Sequence, residues 1–544
     1  MNQQEPYFAP QPPLPPQAPS YPPPPYGYSE QKTVYTVGQG IFALLTLPFG
    51  YLFRQWVLRA GNAACLYVLL FAAFSLGVLL VTHLPKKKRP RPAAVVLLTV
   101  NTLLAGVYLI SPPSSVTALT TIFEIFSFLL FYLYAFSDAE NCPLGDGMPL
   151  DIIKAVFILP FVSFFSIFPA LFSLLKSKTA GRKVGMVLLG IAIAVIPSAI
   201  VIALLGQADA AFGNLMSEIG SFLFGSNPVE VFLNFGSFIF SIPVSMYLFG
   251  AVYSGWEGKQ RDTLNAASQK RLAASISVIP VTVTISAILP LCLIYLLFFF
   301  SQLGYYVDAF SDLVPAGYST AQYARSGFFQ LCAVSAINLC LITVASLFVQ
   351  KKDGKQTRPV RMLNTVLSVF TLVLIATALR KMILYIGLYG FTRLRILTSV
   401  FMIFLGLVFL FLVIRQITPR CNVVLLSAVA GTVLLGTVGF CDLDARIAQG
   451  NLILYQTGIL ETCDVHAFYD LSYTAAEYAI PLLEDDDAEL AADAVRYLRH
   501  CARLISEGTY ASDWRSETPA LYRIASLLSE ALGEEVTVPR GNGS

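Results

Sequence analysis

The stretch RILTSVFMIFLGLVFLFLVIRQ, residues 395–416, carries no charge between Arg395 and Arg415. An α-helix rises about 1.5 Å per residue, so roughly 20 apolar residues cross the hydrocarbon core of a bilayer. This stretch therefore predicts a transmembrane helix. The composition of the 544-residue chain agrees, because 56% of its residues are hydrophobic and only 13% are charged, which excludes an ordinary soluble protein.

Further apolar runs of similar length predict about eleven transmembrane helices in all. A twelfth run, 152–175, is interrupted by Pro160 and Pro169 and begins among charged residues, so we expect it to be a re-entrant or interfacial segment. The predicted fold is all-α: a polytopic transmembrane helical bundle over 34–440 with a small C-terminal helical domain. The other ten runs are 35–53, 62–83, 93–111, 116–136, 184–205, 231–253, 274–301, 327–349, 362–379 and 422–440.

The distribution of basic residues predicts the topology. Lys and Arg concentrate in cytoplasmic loops, and the strongest basic clusters here are 86–91, 176–183, 254–273 and 350–361. With eleven spans, these clusters share one side only if the 152–175 run does not cross. We therefore expect a cytoplasmic N-terminus and an extracytoplasmic C-terminus.

The two ends of the chain differ in composition from the membrane region. Residues 1–33 are rich in Pro and Tyr and predict a disordered cytoplasmic tail, either a docking strip for a proline-recognising partner or a spacer. Residues 441–544 hold 18 of the 33 acidic and 7 of the 36 basic residues, a net charge of −11 against +14 for the rest. Helical spacing of Leu490, Ala494 and Leu498 predicts helices here. We therefore expect an acidic helical domain, which the predicted topology makes extracytoplasmic.

Familiar catalytic signatures are absent from the sequence. It contains no HExxH, GxSxG, GxxxxGK or strand-linked GxGxxG motif, so we expect no cofactor and regard an enzyme as the less favoured class. The nine cysteines include no CxxC pair. Cys463, His466, His500 and Cys501 have a spacing that is only weakly typical of a zinc site.

Glu124 is the clearest charged residue at membrane depth, midway along the 116–136 run. Such residues usually mark function. One interpretation is a proton or cation relay, and the other is a neutral acid bonded to a neighbouring helix. Asn101 and Asn338 are expected to form interhelical hydrogen bonds. Together with proline-interrupted helices, Glu124 is the basis for one alternative function, a proton-coupled transporter.

Basic and aromatic residues cluster where the 362–379 run ends. If the helix continues beyond this run, Lys381, Tyr385 and Tyr389 share one of its faces. The predicted topology places the cluster at the outer membrane surface. It is either a binding site for an anionic headgroup or other anion, or a set of interfacial anchors. The predicted ligand-binding residues are Arg325, Arg380, Lys381, Tyr385, Tyr389, Arg393 and Arg395.

Several short motifs in combination resemble a known family. They are YARSGFFQL at 323–331, YGFTRLRILT at 389–398, LDARIAQGNLILYQTG at 443–458 and DLSYTAAEYAIPLL at 470–483. The chain resembles a bacterial membrane family catalogued as domain of unknown function 4173, which is related to 4153. The resemblance implies a multi-pass protein of the bacterial cell membrane and supplies no activity. Gln449 and Gly450 stand where that family tends to have a basic and a bulkier residue.

The function that we expect is that of a membrane-embedded binding or regulatory envelope protein. Its outer basic and aromatic surface would meet an anionic lipid or ligand, and its acidic domain another envelope protein. The lipid bilayer is its environment, and nucleic acid is not an expected partner. The alternatives are the transporter and a membrane-embedded lipid-modifying enzyme, for which Asp308 and Asp312 are the best acids.

Overall fold

The regular structure of the chain is helical, as predicted. One isolated backbone bridge, between Ile279 and Val349, is the exception in the described residues. The predicted tail at 1–33 and most of the 184–205 run lie outside those residues. The computed structural model describes residues 35–58, 63–83, 91–136, 148–176, 201, 205, 212, 213, 215, 241–254, 277–301, 328–350, 356–418, 421–510 and 517–539.

The N-terminal helices pack around one apolar core, which also includes helical residues 241–254. Pro92 begins α3 because the first turn of a helix needs no N–H donor and suits the fixed φ of proline. The helices are α1 (Val37–Leu58), α2 (Ala63–His83), α3 (Pro92–Leu104), the four-residue α4 (Val107–Ile110) and α5 (Ser115–Phe136).

The 152–175 run forms a broken helix. It comprises α6 (Met148–Ile153), a π-helical turn (Lys154–Ile158), α7 (Leu159–Val162), a 3₁₀ turn (Phe164–Ser166) and α8 (Ile167–Lys176). The two arms, Asp151–Val162 and Phe164–Leu174, meet at 46°, a geometry that suits a broken span or a re-entrant loop.

The helix containing residues 241–254 compensates for the break. Pro160 has no N–H, so the carbonyl of Val156 lacks its usual helical donor. The Tyr247 hydroxyl donates to that carbonyl at 2.8 Å, and Ser254 Oγ donates to the Leu159 carbonyl at 2.8 Å. Side chains of one helix thus satisfy backbone groups that the break leaves open in another.

The C-terminal membrane helices form a second bundle around its own core. The longest is α11, whose 32 residues run straight through Arg380 and Lys381 and end at Gly390. The helix thus continues beyond the predicted run, which ends at residue 379, as a shared face of Lys381, Tyr385 and Tyr389 requires. The helices are α9 (Val281–Ser301), α10 (Phe328–Phe348), α11 (Arg358–Tyr389), α12 (Arg393–Ile417) and α13 (Val423–Phe440).

Across the described ranges, seven helices are long and apolar enough to cross a membrane, or up to eight if the bent pair is one span. The multi-pass bundle is thus confirmed, whereas the number eleven is not. Helices α1 and α2 form where the first two runs are predicted, and Ala64–Leu80 within α2 counts as a further, shorter apolar segment. The seven are Pro92–Ile110, Ser115–Ala135, Val281–Phe300, Gln330–Phe348, Arg358–Tyr389, Arg393–Ile417 and Val423–Phe440.

The two predicted interhelical asparagines differ in outcome. Asn338 on α10 accepts from the Tyr295 hydroxyl of α9 at 2.7 Å and donates to Thr371 Oγ1 of α11 at 2.9 Å, as predicted. Asn101 on α3 is fully buried, but among the described residues its side-chain amide has no hydrogen-bond partner. The prediction of an interhelical hydrogen bond at Asn101 is therefore wrong for this part of the chain.

The C-terminal region folds into a small helical domain with its own core. Leu490, Ala494 and Leu498 are buried on one face of α15, as their spacing predicts. The last helix is capped by Thr518, whose Oγ1 accepts from Leu521 N at 3.2 Å. The elements are α14 (Leu443–Gln456), 3₁₀ helices at Val465–Asp470, Tyr473–Tyr478 and Ile480–Glu484, α15 (Ala488–Ser506) and α16 (Pro519–Leu532).

The end of α13 contacts the N-terminal helices closely. Ser111 Oγ donates to the Gly439 carbonyl at 2.5 Å. A Cβ on Gly439 would lie 2.7 Å from the Val107 side chain, so only glycine permits this approach. Directly beyond, Val116 of α5 packs with Leu443 and Ile447 of α14. The first helix of the C-terminal domain thus rests on the N-terminal bundle.

Candidate functional site

The turn between α11 and α12 meets the first helix of the C-terminal domain, and we call residues 389–395 with 442–451 the junction. Gly390 ends α11 with φ +75°, a conformation that glycine adopts without strain. Thr392 then begins α12, its Oγ1 accepting from Arg395 N at 3.4 Å. The YGFTRLR motif therefore folds as a tight helix–turn–helix.

Arg393 and Asp444 form a two-pronged ion pair across the junction. Arg393 Nε donates to Asp444 Oδ1 at 2.5 Å, and Nη2 donates to Oδ2 at 2.5 Å. The Asp444 side chain is 2% exposed and that of Arg393 is 29% exposed. Ser472 N also donates to Asp444 Oδ2, at 3.1 Å. The guanidinium that the sequence assigns to an external anion thus holds an anion of the chain itself.

Asn451 makes the second contact of the junction. Its Oδ1 accepts from Phe391 N at 2.5 Å, and its Nδ2 donates to the Phe391 carbonyl at 3.0 Å. Two glycines allow this approach: a Cβ on Gly390 would lie 2.5 Å from Asn451 Oδ1, and one on Gly450 would lie 2.7 Å from the Phe391 ring. The absence of a side chain at Gly450 therefore leaves room for the Phe391 ring.

Asp442 begins α14 in a left-handed conformation, with φ +48°. Its carboxylate accepts from Ala445 N at 3.4 Å and from Thr474 Oγ1 at 3.2 Å. Burial raises the pKa of this carboxyl, the two hydrogen bonds lower it, and the Asp444 charge adds to the rise. Asp442 thereby links α14 to the 3₁₀ helix that follows in the domain.

Arg395 folds back onto the end of α11. Its Nη1 donates to the carbonyls of Tyr389, at 2.8 Å, and Gly390, at 2.5 Å. The guanidinium lies over the Tyr385 ring, 4.4 Å from its centroid, and 5.8 Å from that of Tyr389. A cation at a helix C-terminus is favoured by the exposed carbonyls there. Tyr389 itself is 51% exposed.

The predicted ligand-binding residues are thus only partly brought together. Tyr385, Tyr389, Arg393 and Arg395 meet at the junction or beside it. Half-buried Arg380 lies on α11 about 14 Å before Tyr389 along the helix axis, and half-buried Lys381 lies about 12 Å before it, one turn from Tyr385. Arg325 lies outside the described residues.

Glu124 forms a separate polar site inside the N-terminal bundle. Its side chain is fully buried, and Tyr108 Oη lies 2.8 Å from Glu124 Oε2. The same hydroxyl lies 2.8 Å from Thr121 Oγ1 and accepts from Trp56 Nε1 at 3.4 Å. Glu124 Oε1 has no hydrogen-bond partner among the residues that the structure describes.

The cysteines and histidines of the C-terminal domain do not form a metal site. In the parts of the chain that the structure describes, no group of three His, Cys, Asp or Glu side chains is arranged to hold a metal ion. Cys463 and Cys501 are buried, and burial raises the pKa of each thiol to about 11. His466 is exposed and lies 3.7 Å from an Asp493 carboxylate oxygen.

The three junction residues of the domain, Asp442, Asp444 and Asn451, were not predicted as site residues. A signal was available, since Asp444 and Asn451 are seven residues apart and two helical turns return a side chain to the same face. Two polar side chains on the otherwise apolar inner face of α14 indicate a polar partner. Which partner they meet depends on tertiary structure.

A family model described as a domain of unknown function, DUF4153, matches residues 115–482, more than half of the chain. The matched range contains Glu124 and both sides of the junction. No curated protein and no solved structure matches the chain.

Proposed function

The chain belongs to the DUF4153 family, and we propose that it is a membrane-embedded binding or regulatory protein whose junction responds to an anionic ligand. The observation that carries this proposal is the ion pair between Arg393 and buried Asp444. Guanidinium forks bind carboxylates and phosphates with the same two-pronged geometry. An external anion that reaches Arg393 therefore competes with Asp444.

Such competition would change the position of the C-terminal domain. If Arg393 turns to an external anion, Asp444 stays behind as a buried charge with only the Ser472 N–H as partner. Unpaired buried charges are strongly unfavourable, so the contact between α14 and α12 loosens. A ligand that binds the two arrangements with different affinity shifts their populations accordingly.

An anionic lipid headgroup is the ligand that we favour. The junction lies at the ends of membrane helices α11, α12 and α13, where headgroups are found. Arg395 stacks on Tyr385 beside the exposed Tyr389, and tyrosines are typical of the membrane–water interface. Arginines near the interface bind phosphate groups.

The location of the junction follows from the predicted topology. We propose a bacterial cell membrane protein with the N-terminus in the cytoplasm and the acidic domain outside, where it meets another envelope protein. The basic clusters and the resemblance to the 4173 family support this placement. The junction is then a site on the outer leaflet.

Lipid binding by the full chain in nanodiscs tests the proposal. In nanodiscs containing phosphatidylglycerol, native mass spectrometry should show bound lipid that Arg395→Ala loses and Arg415→Ala, at the other end of α12, retains. Hydrogen exchange of α14 amides should be faster with phosphatidylglycerol than with phosphatidylcholine alone. Inorganic phosphate added to phosphatidylcholine nanodiscs separates a soluble anion from a lipid. Equal lipid retention in both variants, with lipid-independent exchange, would contradict the proposal.

A proton-coupled transporter is the second candidate, because Glu124 is buried and forms no ion pair with any basic residue that the structure describes. It predicts that Glu124→Gln abolishes proton-coupled flux in proteoliposomes. No observation favours the lipid-modifying enzyme, since Asp308 and Asp312 lie outside the described residues.

A further inference from the structure

We propose that Glu124 binds a proton reversibly and that its protonation state is transmitted through α4 to the junction. The inference rests on the proposed regulatory function and supplies a signal for it from inside the membrane. Three observations carry it: the hydrogen bonds of the Tyr108 hydroxyl, the absence of an ion pair to Glu124 in the described residues, and the contacts of α4 with the end of α13.

The hydroxyl of Tyr108 has one proton and two neighbours at 2.8 Å, Glu124 Oε2 and Thr121 Oγ1. When Glu124 is neutral, its O–H donates to Tyr108, Tyr108 donates to Thr121, and Thr121 donates to the Thr117 carbonyl at 2.9 Å. Every donor in this chain then has an acceptor. Trp56 N–H adds one more bond to the Tyr108 oxygen.

When Glu124 is ionised, the chain must rearrange. The proton passes to solvent water, and the Tyr108 hydroxyl turns from Thr121 to the carboxylate. Glu124 Oε1 then carries charge, and in the described part of the chain no group donates a hydrogen bond to it. Buried charges without partners are costly, so the deprotonated state favours any movement that brings water or a donor to this oxygen.

Among the titratable groups at this site, Glu124 is the one to which we assign the proton. In the described residues, no basic side chain forms an ion pair with it. Cys65 of α2 is close enough to sense its charge, and Tyr108 is the titratable group of α4. Helices α3 and α13 bring no acid or base. The titratable residues on the other packed elements are Tyr51 and Arg54 of α1, Tyr67 of α2, Tyr132 and Tyr134 of α5, and Asp151 and Lys154 beside Tyr134.

The element that carries Tyr108 also contacts the base of the C-terminal domain. Val107, one residue before Tyr108, packs against Gly439, and Ser111 donates to the Gly439 carbonyl at 2.5 Å. Gly439 lies three residues before Asp442 and five before Asp444. A shift of Tyr108 toward or away from Glu124 therefore moves a four-residue helix that is in contact with the start of the junction.

Infrared and exchange measurements on the full chain in nanodiscs test this inference. Difference infrared spectra against pH should show the C=O stretch of a protonated carboxylic acid that disappears on raising the pH and is absent in Glu124→Gln. Exchange of α14 amides, corrected for intrinsic rates, should change by about tenfold over the same pH range. In Glu124→Gln it should stay at the low-pH value. The exposed acid-to-amide variant Glu489→Gln is the control and should behave like wild type.

Tyr108→Phe separates proton binding from its transmission. It should keep the titrating C=O band and lose most of the exchange response of α14, and it keeps the inference testable if Glu124→Gln does not fold. A wild type without a titrating band assigned to Glu124 would overturn the proton site. A titrating band with unchanged α14 exchange would overturn the coupling, while a lipid effect on that exchange would leave the proposed function standing.

Discussion

Replacing Arg393 by alanine should loosen the C-terminal domain without unfolding the membrane bundle. The substitution leaves Asp444, 2% exposed, as a buried carboxylate without its cation. Breaking a buried ion pair by removing one partner costs about 3–5 kcal/mol. Ser472 N–H still bonds to Asp444, and water can enter the site of the Arg393 side chain, which is 29% exposed. We therefore expect the energy cost to lie at the lower end of that range. Since every 1.4 kcal/mol is tenfold, about 3 kcal/mol raises the population of the opened junction roughly 100-fold.

Hydrogen exchange of α14 amides in the purified full chain measures this opening. Arg446→Ala is the matched control, because Arg446 lies on α14 itself, is exposed and bonds to Gln449 Oε1 at 2.7 Å. Its removal should change stability by less than about 0.5 kcal/mol. Asp444→Asn in the Arg393→Ala background should recover part of the protection, because no unpaired charge is then buried.

Two results would refute the reasoning. One is α14 exchange in Arg393→Ala within about threefold of wild type, less than 1 kcal/mol. The other is an equal loss in Arg446→Ala, which would assign the effect to general charge on α14 and not to the ion pair.

Further predictions concern the backbone, the thiols and the topology. Gly390→Ala should destabilise the junction by about 2–4 kcal/mol in thermal unfolding, because the positive φ strains an alanine and its Cβ would clash with Asn451. Gly387→Ala is the control on the same helix: a Cβ there meets no atom, so the variant should be neutral or slightly stabilising. Equal effects of the two substitutions would contradict this prediction. Burial raises the pKa of Cys463 and Cys501 from 9.0 to about 11, so the folded domain holds more protons between those values and loses stability as pH rises through them. The free energy of unfolding should fall by up to about 2–3 kcal/mol per thiol. Urea unfolding at pH values below and above this window measures the loss, which should be smaller in the double variant Cys463→Ala with Cys501→Ala. An impermeant maleimide should label exposed Ser526→Cys in intact cells, and labelling only after lysis would place the domain inside.

The membrane bundle could be predicted from sequence because a span needs only length and apolarity. The end of α11 is harder to place. The apolar run ends at Arg380 and Lys381, but two charged residues do not stop a helix, and α11 ends at Gly390. Long side chains such as these bury their stems and keep their charged ends near polar groups.

The partner of the basic cluster was beyond sequence reasoning for a different reason. The pattern identifies Arg393 as a cation at a helix start, but Asp444 is 51 residues further on, and charge patterns say little about pairs at that separation. The broken helix shows the same limit. Pro160 predicts an open carbonyl, whereas Tyr247 as its donor, 91 residues away from Val156, is visible only in the fold.

The ion pair also constrains how the chain is assembled in the membrane. Arg393 begins α12 and Asp444 follows α13, so the two residues meet only when both helices have inserted as a hairpin with opposite directions. During synthesis Arg393 leaves the ribosome first and stays without its partner until α13 has been made. If either helix fails to cross, the two side chains lie on opposite faces of the bilayer. The ion pair then cannot form, and both charged side chains lack their partner. The junction thus makes the pairing of Arg393 with Asp444 dependent on correct insertion of the last two membrane helices.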